Sequence, residues 1–372
     1  MEELGEQERA VLELVKANPF AGQQEIATMM GLARSTVAAH IVQLIQKGYI
    51  LGRGYVLPAA RRVACLGGAV FDRKYRALDP LVEDTSNPVQ GSRTSGGVAR
   101  NVTENLALLG TETSFISIIG NDEPGREILG HLRERGVDVS QVQISDRGRT
   151  AEYVALLEST GVLRFGLADM AIFEEFQPAV LDRVWSHIGS ATWIFADCNL
   201  PAETLEALIV RKRGSRARLA IDAVSTPKVA RLPKDLSGVD IVFMNIAEAC
   251  AFLGRQMPAS GASLDEARDA ARALQAAGAT EAVVTLGSTG VAVAAQDGIA
   301  SFAAVPARPV DMTGAGDAMI AATLNRIISG DDIVRAARIG SLMGTLTTEC
   351  TTSVHPALSA HFIEANLHRL ED

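Results

Sequence analysis

Hydrophobic positions divide this chain into two regimes. Over the first sixty residues they recur at helical spacing. Val11, Leu12, Leu14 and Val15 make one stripe, which Asn18-Pro19 stops. A second helical run, Gln23 to Met30, ends at Gly31. A third starts at Arg34-Ser35, with Ser35 as its expected N-cap, and continues through Val37, Ile41, Leu44 and Ile45 to Lys47-Gly48. The short Gly31-Leu32-Ala33 connection predicts a helix-turn-helix. Tyr49 to Leu57 reads as two short strands around a Gly52-Arg53-Gly54 tip, a wing.

Past residue 60 the apolar residues collect in short continuous runs that end in a polar residue or glycine. Val63–Gly68, Ile116–Gly120, Trp193–Asp197, Leu219–Asp222, Ile241–Asn245 and Ala282–Gly287 share this plan. Buried parallel strands look like this, with chemistry at their carboxyl ends. Alanine-rich helical stretches such as Leu264 to Ala277 separate them, so the expected class is α/β with helices on both sheet faces. Two stretches, roughly 73–95 and 150–168, alternate more and predict a small antiparallel sheet acting as a lid.

Composition narrows the picture. The chain has 372 residues, 47% hydrophobic, 21% charged and 5% aromatic, with 33 glycines, which excludes disorder, collagen-like repeats and a disulfide scaffold. The length suits one large domain, residues 61–372, preceded by a small one, residues 1–60. No apolar run reaches the ~18 residues of a membrane span, and the N-terminus lacks a signal-peptide layout, so a cytoplasmic protein is expected. Cys65, Cys198, Cys250 and Cys350 lie far apart and suggest neither a zinc cluster nor a disulfide framework.

Of the net charge of −9, residues 1–60 carry five Lys/Arg against six Glu, a net of −1, which leaves −8 for the rest. From Ile26 to Phe71 there is no carboxylate, while Arg34, Lys47, Arg53, Arg61 and Arg62 remain. That stretch suggests a nucleic-acid-facing surface behind an acidic first helix. The first sixty residues resemble the winged helix-turn-helix domains of bacterial regulators. The resemblance implies a recognition helix presenting Arg34, Ser35, Thr36 and His40, with Arg53 reaching the DNA backbone or minor groove. The alternative is a protein–protein or dimerisation module without DNA contact. So few cations give a modest phosphate contribution to affinity unless the protein is a dimer, and a homodimer is the expected assembly.

Candidate chemistry concentrates in Val310-Asp311-Met312-Thr313-Gly314-Ala315-Gly316-Asp317-Ala318-Met319, followed by an apolar helical run. Gly314 and Gly316 let the backbone approach a ligand, and the following helix aims unpaired N–H groups at it. Such a turn is an anion hole for a phosphoryl group, formed by Gly314, Ala315 and Gly316. Asp317, in the first helical turn, is placed to take the proton of a nucleophilic hydroxyl. Asp beside Gly before a helix is also an ordinary N-cap. Walker A, Rossmann and protein-kinase signatures are all missing, so nucleotide chemistry needs another scaffold.

The string D-x-T-G-A-G-D resembles the C-terminal signature of the ribokinase-like (PfkB) carbohydrate and nucleoside kinases. Their second signature is matched by Ser95-Gly96-Gly97-Val98-Ala99-Arg100-Asn101-Val102, then Leu106 to Gly110 and Gly120-Asn121-Asp122. The resemblance runs from about Val63 to the C-terminus. It implies a three-layer ribokinase-like sandwich with a β lid and an ATP- and Mg²⁺-dependent kinase. Asp72 and Asn101 would bind sugar hydroxyls, and Gly96-Gly97 would form the lid hinge. Asn245 and Glu248, as an N-x-x-E motif, would act on Mg²⁺ through water and on ATP phosphates. Thr285, Gly287 and Gly290 would line the nucleotide groove. Asp311 and Thr313 would help hold a monovalent cation, commonly K⁺. Val70 stands where many sugar kinases have Asn. The loop from Thr347 to His355 is expected to close over the nucleotide or the cation.

Finer resemblance concerns the acceptor. The 95–107 segment, Ala168-Asp169-Met170, Ala196–Leu200 and Asp222–Lys228 look like pseudouridine kinases, while some nucleoside kinases with an N-terminal helix-turn-helix resemble inosine–guanosine kinases. Pseudouridine carries an extra ring N–H, so its site needs an additional acceptor, for which Asp169, Asn199 and Ser225 are candidates. The expected reaction is phosphorylation of the ribose 5′-hydroxyl of pseudouridine. Alternatives are another nucleoside or sugar of the same family, or a transcriptional regulator that senses a nucleoside through a kinase-like domain.

Overall fold

The structure is a computed structural model of the full chain; it describes residues 4–18, 21–51, 62–257 and 262–370. Three helices open it: α1 (Glu6–Ala17), α2 (Gln23–Met30) and α3 (Arg34–Gln46). Their apolar stripes close a separate small core of Val11, Val15, Ile26, Val37, Ile41, Leu44 and Ile50. The cap of α3 is Ala33, extended at φ −71° and ψ 144°, and Ser35 lies inside the first turn instead of capping it. Glu8, buried on α1, pairs with Lys47 beyond the end of α3 at 3.0 Å. Of the expected wing, Tyr49, Ile50 and Leu51 are described; the remainder, Arg53 included, lies outside the described residues.

The large unit continues as β1 (Arg62–Leu66), β2 (Val70–Ala77), β3 (Val89–Gly96), α4 (Val98–Leu108), β4 (Glu112–Ile116), β5 (Ile118–Gly120), α5 (Glu123–Glu134), β6 (Gln143–Ser145), β7 (Ala151–Leu157) and β8 (Leu163–Asp169). Then come α6 (Pro178–Gly189), β9 (Trp193–Asp197), α7 (Ala202–Lys212), β10 (Arg218–Asp222), β11 (Ile241–Asn245), α8 (Ile246–Leu253), α9 (Leu264–Ala276) and β12 (Glu281–Thr285). The chain finishes with β13 (Val291–Ala295), β14 (Gly298–Phe302), α10 (Ala315–Ser329), α11 (Ile333–Thr348) and α12 (Ala360–Asn366).

Eight strands form the central sheet in the order β14-β13-β12-β11-β10-β9-β1-β4. The six from β12 to β4 run parallel, and the β13–β14 hairpin adds two antiparallel strands at one edge. Side chains of the continuous apolar strands sort by parity. Leu66, Ile194, Ala196, Ile221 and Met244 face the helices α6 to α9, while Cys65, Phe195, Ala220 and Phe243 face α4, α5, α10 and α11. Helix–sheet–helix layering follows because each face must be covered.

In the large unit three features differ from expectation. The run Ile116–Gly120 is not one strand of the main sheet. It breaks at Ser117, whose hydroxyl donates to the Gly67 carbonyl at 2.6 Å, and Ile118–Gly120 then pairs with β6. The smaller sheet, ordered β3-β2-β7-β8, is mixed and not antiparallel, since β2 and β7 run parallel. The β13–β14 hairpin was not among the expected strands, although Asp297-Gly298 is a turn dipeptide.

The small helical core is separate from the others, so Leu44→Ala tests it alone. Emptying a fully buried leucine costs about 2–5 kcal/mol, which is severe for a unit this small. Full-length Leu44→Ala should show an early unfolding transition by circular dichroism while its phosphotransfer activity persists to the wild-type temperature.

Candidate active site

Strand order brings the polar residues to one edge. Asp197, Asp222, Asn245 and Thr285 end four adjacent parallel strands, β9 to β12, in register: Asp197 beside Asp222 and Asn245 beside Thr285. In open α/β sheets ligands bind at this carboxyl edge.

The glycine turn opens α10 at the same edge. Gly314 adopts φ 82°, and a Cβ there would collide with the Ser353 carbonyl, so only glycine fits. The Thr347–His355 segment thus packs its backbone directly against the turn, and the Thr348 carbonyl accepts the N–H groups of Val310 and Asp311 at 2.7 and 3.1 Å. Gly316 and Asp317 follow in the first turn of α10. The Ala315 N–H turns back to the Met312 carbonyl at 3.4 Å, while those of Gly316 and Asp317 precede the first intrahelical bond, Ala318 N–H to the Gly314 carbonyl, the kind of helix start an anion can use.

Asp317 is half-buried and accepts a 2.7 Å hydrogen bond from the Asn101 amide. Burial pushes its carboxyl up to about 7; the Asn101 bond and the Arg100 charge oppose this, while Asp197 and Asp72 reinforce it. Asn101 in turn accepts from Arg100 Nη1 at 2.9 Å. Arg100 is 3% exposed and pairs with Glu104, which also holds His131 at 2.6 Å and Arg135 at 3.3 Å. A continuous polar path therefore runs from Asp317 to the outer end of α5. Sequence reading passed over Arg100, although it lies inside the glycine-rich string, because an arginine on a helix normally points to water.

Asp72, on β2, lies against the α-carbon of Gly96, and burial raises its carboxyl to about 6 against the charges of Lys74 and Arg100. Gly97 caps α4 at φ 98°; a Cβ there would strike the Gly68 carbonyl, which locks the start of α4 onto the loop after β1. Asp197 is fully buried and accepts the backbone N–H groups of Gly68, Ala99 and Asn199 at 3.0, 2.8 and 2.9 Å. These bonds make it a clasp joining β9, the β1 loop and α4. Burial still raises its pKa, the hydrogen bonds only offsetting part of that cost.

Asn245 and Glu248 form a reciprocal cap of α8. Glu248 accepts from Asn245 N at 2.8 Å and Nδ2 at 2.6 Å, and returns its N–H to Asn245 Oδ1 at 2.9 Å. Asp222 is driven well above the carboxylate range by burial, then by Glu248 and Asp317. After β10 the β-branched Val224 sits at φ 66°, its N–H held by Asp222 at 2.8 Å. Strain of this kind collects at functional edges.

Two residues past Asp197 and against Gly68, Asn199 is buried and its amide oxygen accepts from Lys228, which also reaches Met170 Sδ at 3.3 Å. Burial pulls the Lys228 pKa down. Lys228 was not singled out from the sequence. Asp169 ends β8 and is exposed; Ser225 follows the strained Val224. Thr285 is half-buried beside Asn245, Gly287 is exposed, and Gly290 presses on the Phe302 carbonyl. Asp311 accepts from Thr313 N and Oγ1 at 2.8 and 2.6 Å and from Lys74 Nζ at 2.9 Å. On the small unit Arg34 and Ser35 are exposed and Thr36 is half-buried, whereas His40 turns its ring to Gln7 of α1 at 3.1 Å.

This edge combines a glycine turn at a helix start, a carboxylate poised near neutrality and a second, four-stranded sheet. Residues 60–360 match the model of the pfkB family carbohydrate kinases. The chain belongs to that family. As a pfkB-family kinase it transfers phosphate to a hydroxyl of a sugar or nucleoside. Residues 4–50 match the model of winged helix-turn-helix DNA-binding domains. The chain is 28% identical over 358 residues to the uncharacterized sugar kinase YeiI of Escherichia coli (strain K12), covering 96% of this chain and 97% of that protein. It is 27% identical over 301 residues to the pseudouridine kinase of the same strain, covering 80% of this chain and 93% of that one. A solved carbohydrate kinase from Agrobacterium tumefaciens superposes with a TM-score of 0.74 at 32% identity, over 83% of this chain and 97% of its own. The fold is ribokinase-like, a three-layer α/β sandwich with a small β-sheet at the cleft.

In the role of general base Asp317 would have to be ionised, so a carboxyl raised to about 7 predicts kcat/KM that climbs with pH through neutrality and levels above it. Arg100 holds that value down by its charge. Arg100→Met should therefore move the acid limb to higher pH, which a pH–rate profile of the two proteins measures; an unmoved limb would separate Arg100 from the site.

Proposed function

We propose that this kinase phosphorylates the ribose 5′-hydroxyl of pseudouridine, with ATP as donor and Asp317 as general base. The observation carrying the catalytic half is the 2.7 Å Asn101–Asp317 hydrogen bond at the mouth of the glycine turn. It orients one carboxylate oxygen and leaves the other free to receive the hydroxyl proton. The Gly314–Gly316 amides and the α10 N-terminus then stabilise charge on the phosphoryl group in transfer. Asp72 and Asn101 are assigned to the ribose hydroxyls, with Gly96-Gly97 as the hinge of the lid.

Thr285, Gly287 and Gly290 are assigned to the nucleotide groove beyond β12. The donor set at this edge fits a hydrated magnesium ion. Glu248 and Asp317 are hard oxygen donors whose charges both act on the buried Asp222, and among the described residues no three His, Cys, Asp or Glu side chains lie close enough to hold a metal ion by themselves. Mg²⁺ keeps several waters, so Glu248 would hold it through water while Asn245 orients the carboxylate. Bound there, the ion would neutralise phosphate charge.

The acceptor assignment rests on the Asn199–Lys228 pair and on the pseudouridine kinase relative. Lys228 and the Asn199 amide offer a donor and a mixed polar group to a pyrimidine edge. Because the Asn199 oxygen already receives Lys228, Asp169 and Ser225 are the remaining acceptors for the extra ring N–H. An acceptor left unpaired by uridine would discriminate against it. Leu163, Phe165 and Leu167 alternate along the edge strand β8, all more than half exposed. That row supports a homodimer formed through the lid sheets. The exposed Arg34 and Ser35 support DNA contact by α3, a second activity compatible with the first.

A phosphorylation panel of pseudouridine, uridine, inosine, guanosine, ribose and fructose 6-phosphate should give pseudouridine the highest kcat/KM; preference for a purine nucleoside or a free sugar would overturn the assignment. Asp317→Asn should lower kcat by about 10²–10⁴ and leave the fold intact. Its melting temperature should exceed wild type above neutral pH. The raised wild-type pKa means that folding there must keep ionised a carboxyl that burial disfavours.

A further inference from the structure

Lys74 lies on β2 two residues after Asp72, so both side chains share one face of the lid sheet. Its ammonium crosses to the anion-hole turn and donates to Asp311 Oδ2 at 2.9 Å, joining positions 237 residues apart. The other Asp311 oxygen accepts both the N–H and the hydroxyl of Thr313. Asp311 and Thr313 are the residues for which the family resemblance implies a bound potassium ion. Here they do not fit one. Thr313 directs its hydroxyl proton to the carboxylate, and a cation on Oδ2 would sit against an ammonium already in contact with that oxygen.

We propose that Lys74 supplies from within the chain the positive charge at Asp311, so that this kinase works without a monovalent cation. An uncompensated carboxylate three residues before Gly314 would oppose binding of a phosphoryl group in the anion hole, so something must neutralise it. The lysine also carries this charge on the lid sheet, which links its arrival to lid position. As a half-exposed pair it adds little to stability; its effect is on the field at the turn. The proposal rests on the turn being the anion hole of the kinase and not on which acceptor is used.

The test compares full-length wild type, Lys74→Met and Lys74→Arg in tetramethylammonium and in potassium buffers. Turnover is measured with MgATP and the best acceptor of the panel, and melting temperature without any nucleoside, so failure of the pseudouridine assignment leaves the second measurement standing. Wild type and Lys74→Arg should change by less than about twofold between buffers. Lys74→Met should lose at least about tenfold in potassium-free buffer and recover with potassium. It should also gain a potassium-dependent rise in melting temperature that wild type lacks. Strong potassium activation of wild type would overturn the proposal, as would a Lys74→Met protein indifferent to potassium in both measurements.

Discussion

The cleft is organised by an excess of carboxylates facing one buried guanidinium. Asp72, Asp197, Asp222 and Asp317 converge where their charges act on one another, and burial raises all four. Arg100 lies among them at 3% exposure, close enough to oppose the shifts of both Asp72 and Asp317. A buried cation is tolerable only when held, and Glu104, Asn101 and the Ser95 carbonyl hold this one. Glu104 is itself held by Arg135 and His131 from the outside. The N-terminal turn of α4 adds oriented N–H groups, one of them bonded to Asp197.

The rest of the architecture supplies this edge. Parallel strands must end together for Asp197, Asp222, Asn245 and Thr285 to line up, and that requires crossover connections over the sheet faces between successive strands. The lid sheet starts from the same edge because β2 leaves the Gly67–Gly68 loop directly, and Gly97 binds the end of β3 and the start of α4 back onto it. Asp197 therefore differs in kind from Asp317. Its oxygens are taken by three backbone donors, so its removal would loosen the frame, whereas Asp317 accepts one side-chain hydrogen bond, from Asn101, on Oδ2 alone.

What the sequence made legible follows from the same physics. Strands buried on both faces need continuous apolar runs, and an anion hole needs small residues before a helix, so both leave local marks. Residues 314–317 were readable for that reason, whereas 95–101 stood out through the family resemblance. Alternation along 73–95 and 150–168 revealed a half-exposed sheet, but strand direction depends on connections and not on side-chain period, which hid the parallel β2–β7 pair. Ser117 ended a strand through one bond to a distant carbonyl that no local pattern announces. Alanine-rich β13 carries a composition that helices share, so its hairpin was obscured. Arg100, Lys74 and Lys228 were passed over because a cation's burial or long-range partner is a tertiary property. For Lys74 a weak signal existed: period two from Asp72 puts it on the same face of the sheet.

Asp317 shows why such a site is built at the expense of stability. An isolated aspartate titrates near 3.8, and this one near 7, so between those values the folded chain keeps a proton that the unfolded chain releases. Stability falls as pH rises through that window, and above it the full cost of holding a desolvated anion is borne. Relieving the cost by opening the cleft would return the carboxyl to its ordinary range and weaken it as a base at neutral pH. Adding a second cation beside it would do the same. One guanidinium acting partly through Asn101 is a compromise: it keeps Asp317 oriented and ionisable without making it a poor proton acceptor. The balance is set by the distance between Arg100 and the carboxylates, which the Gly97 cap and the Asp197 clasp fix through α4.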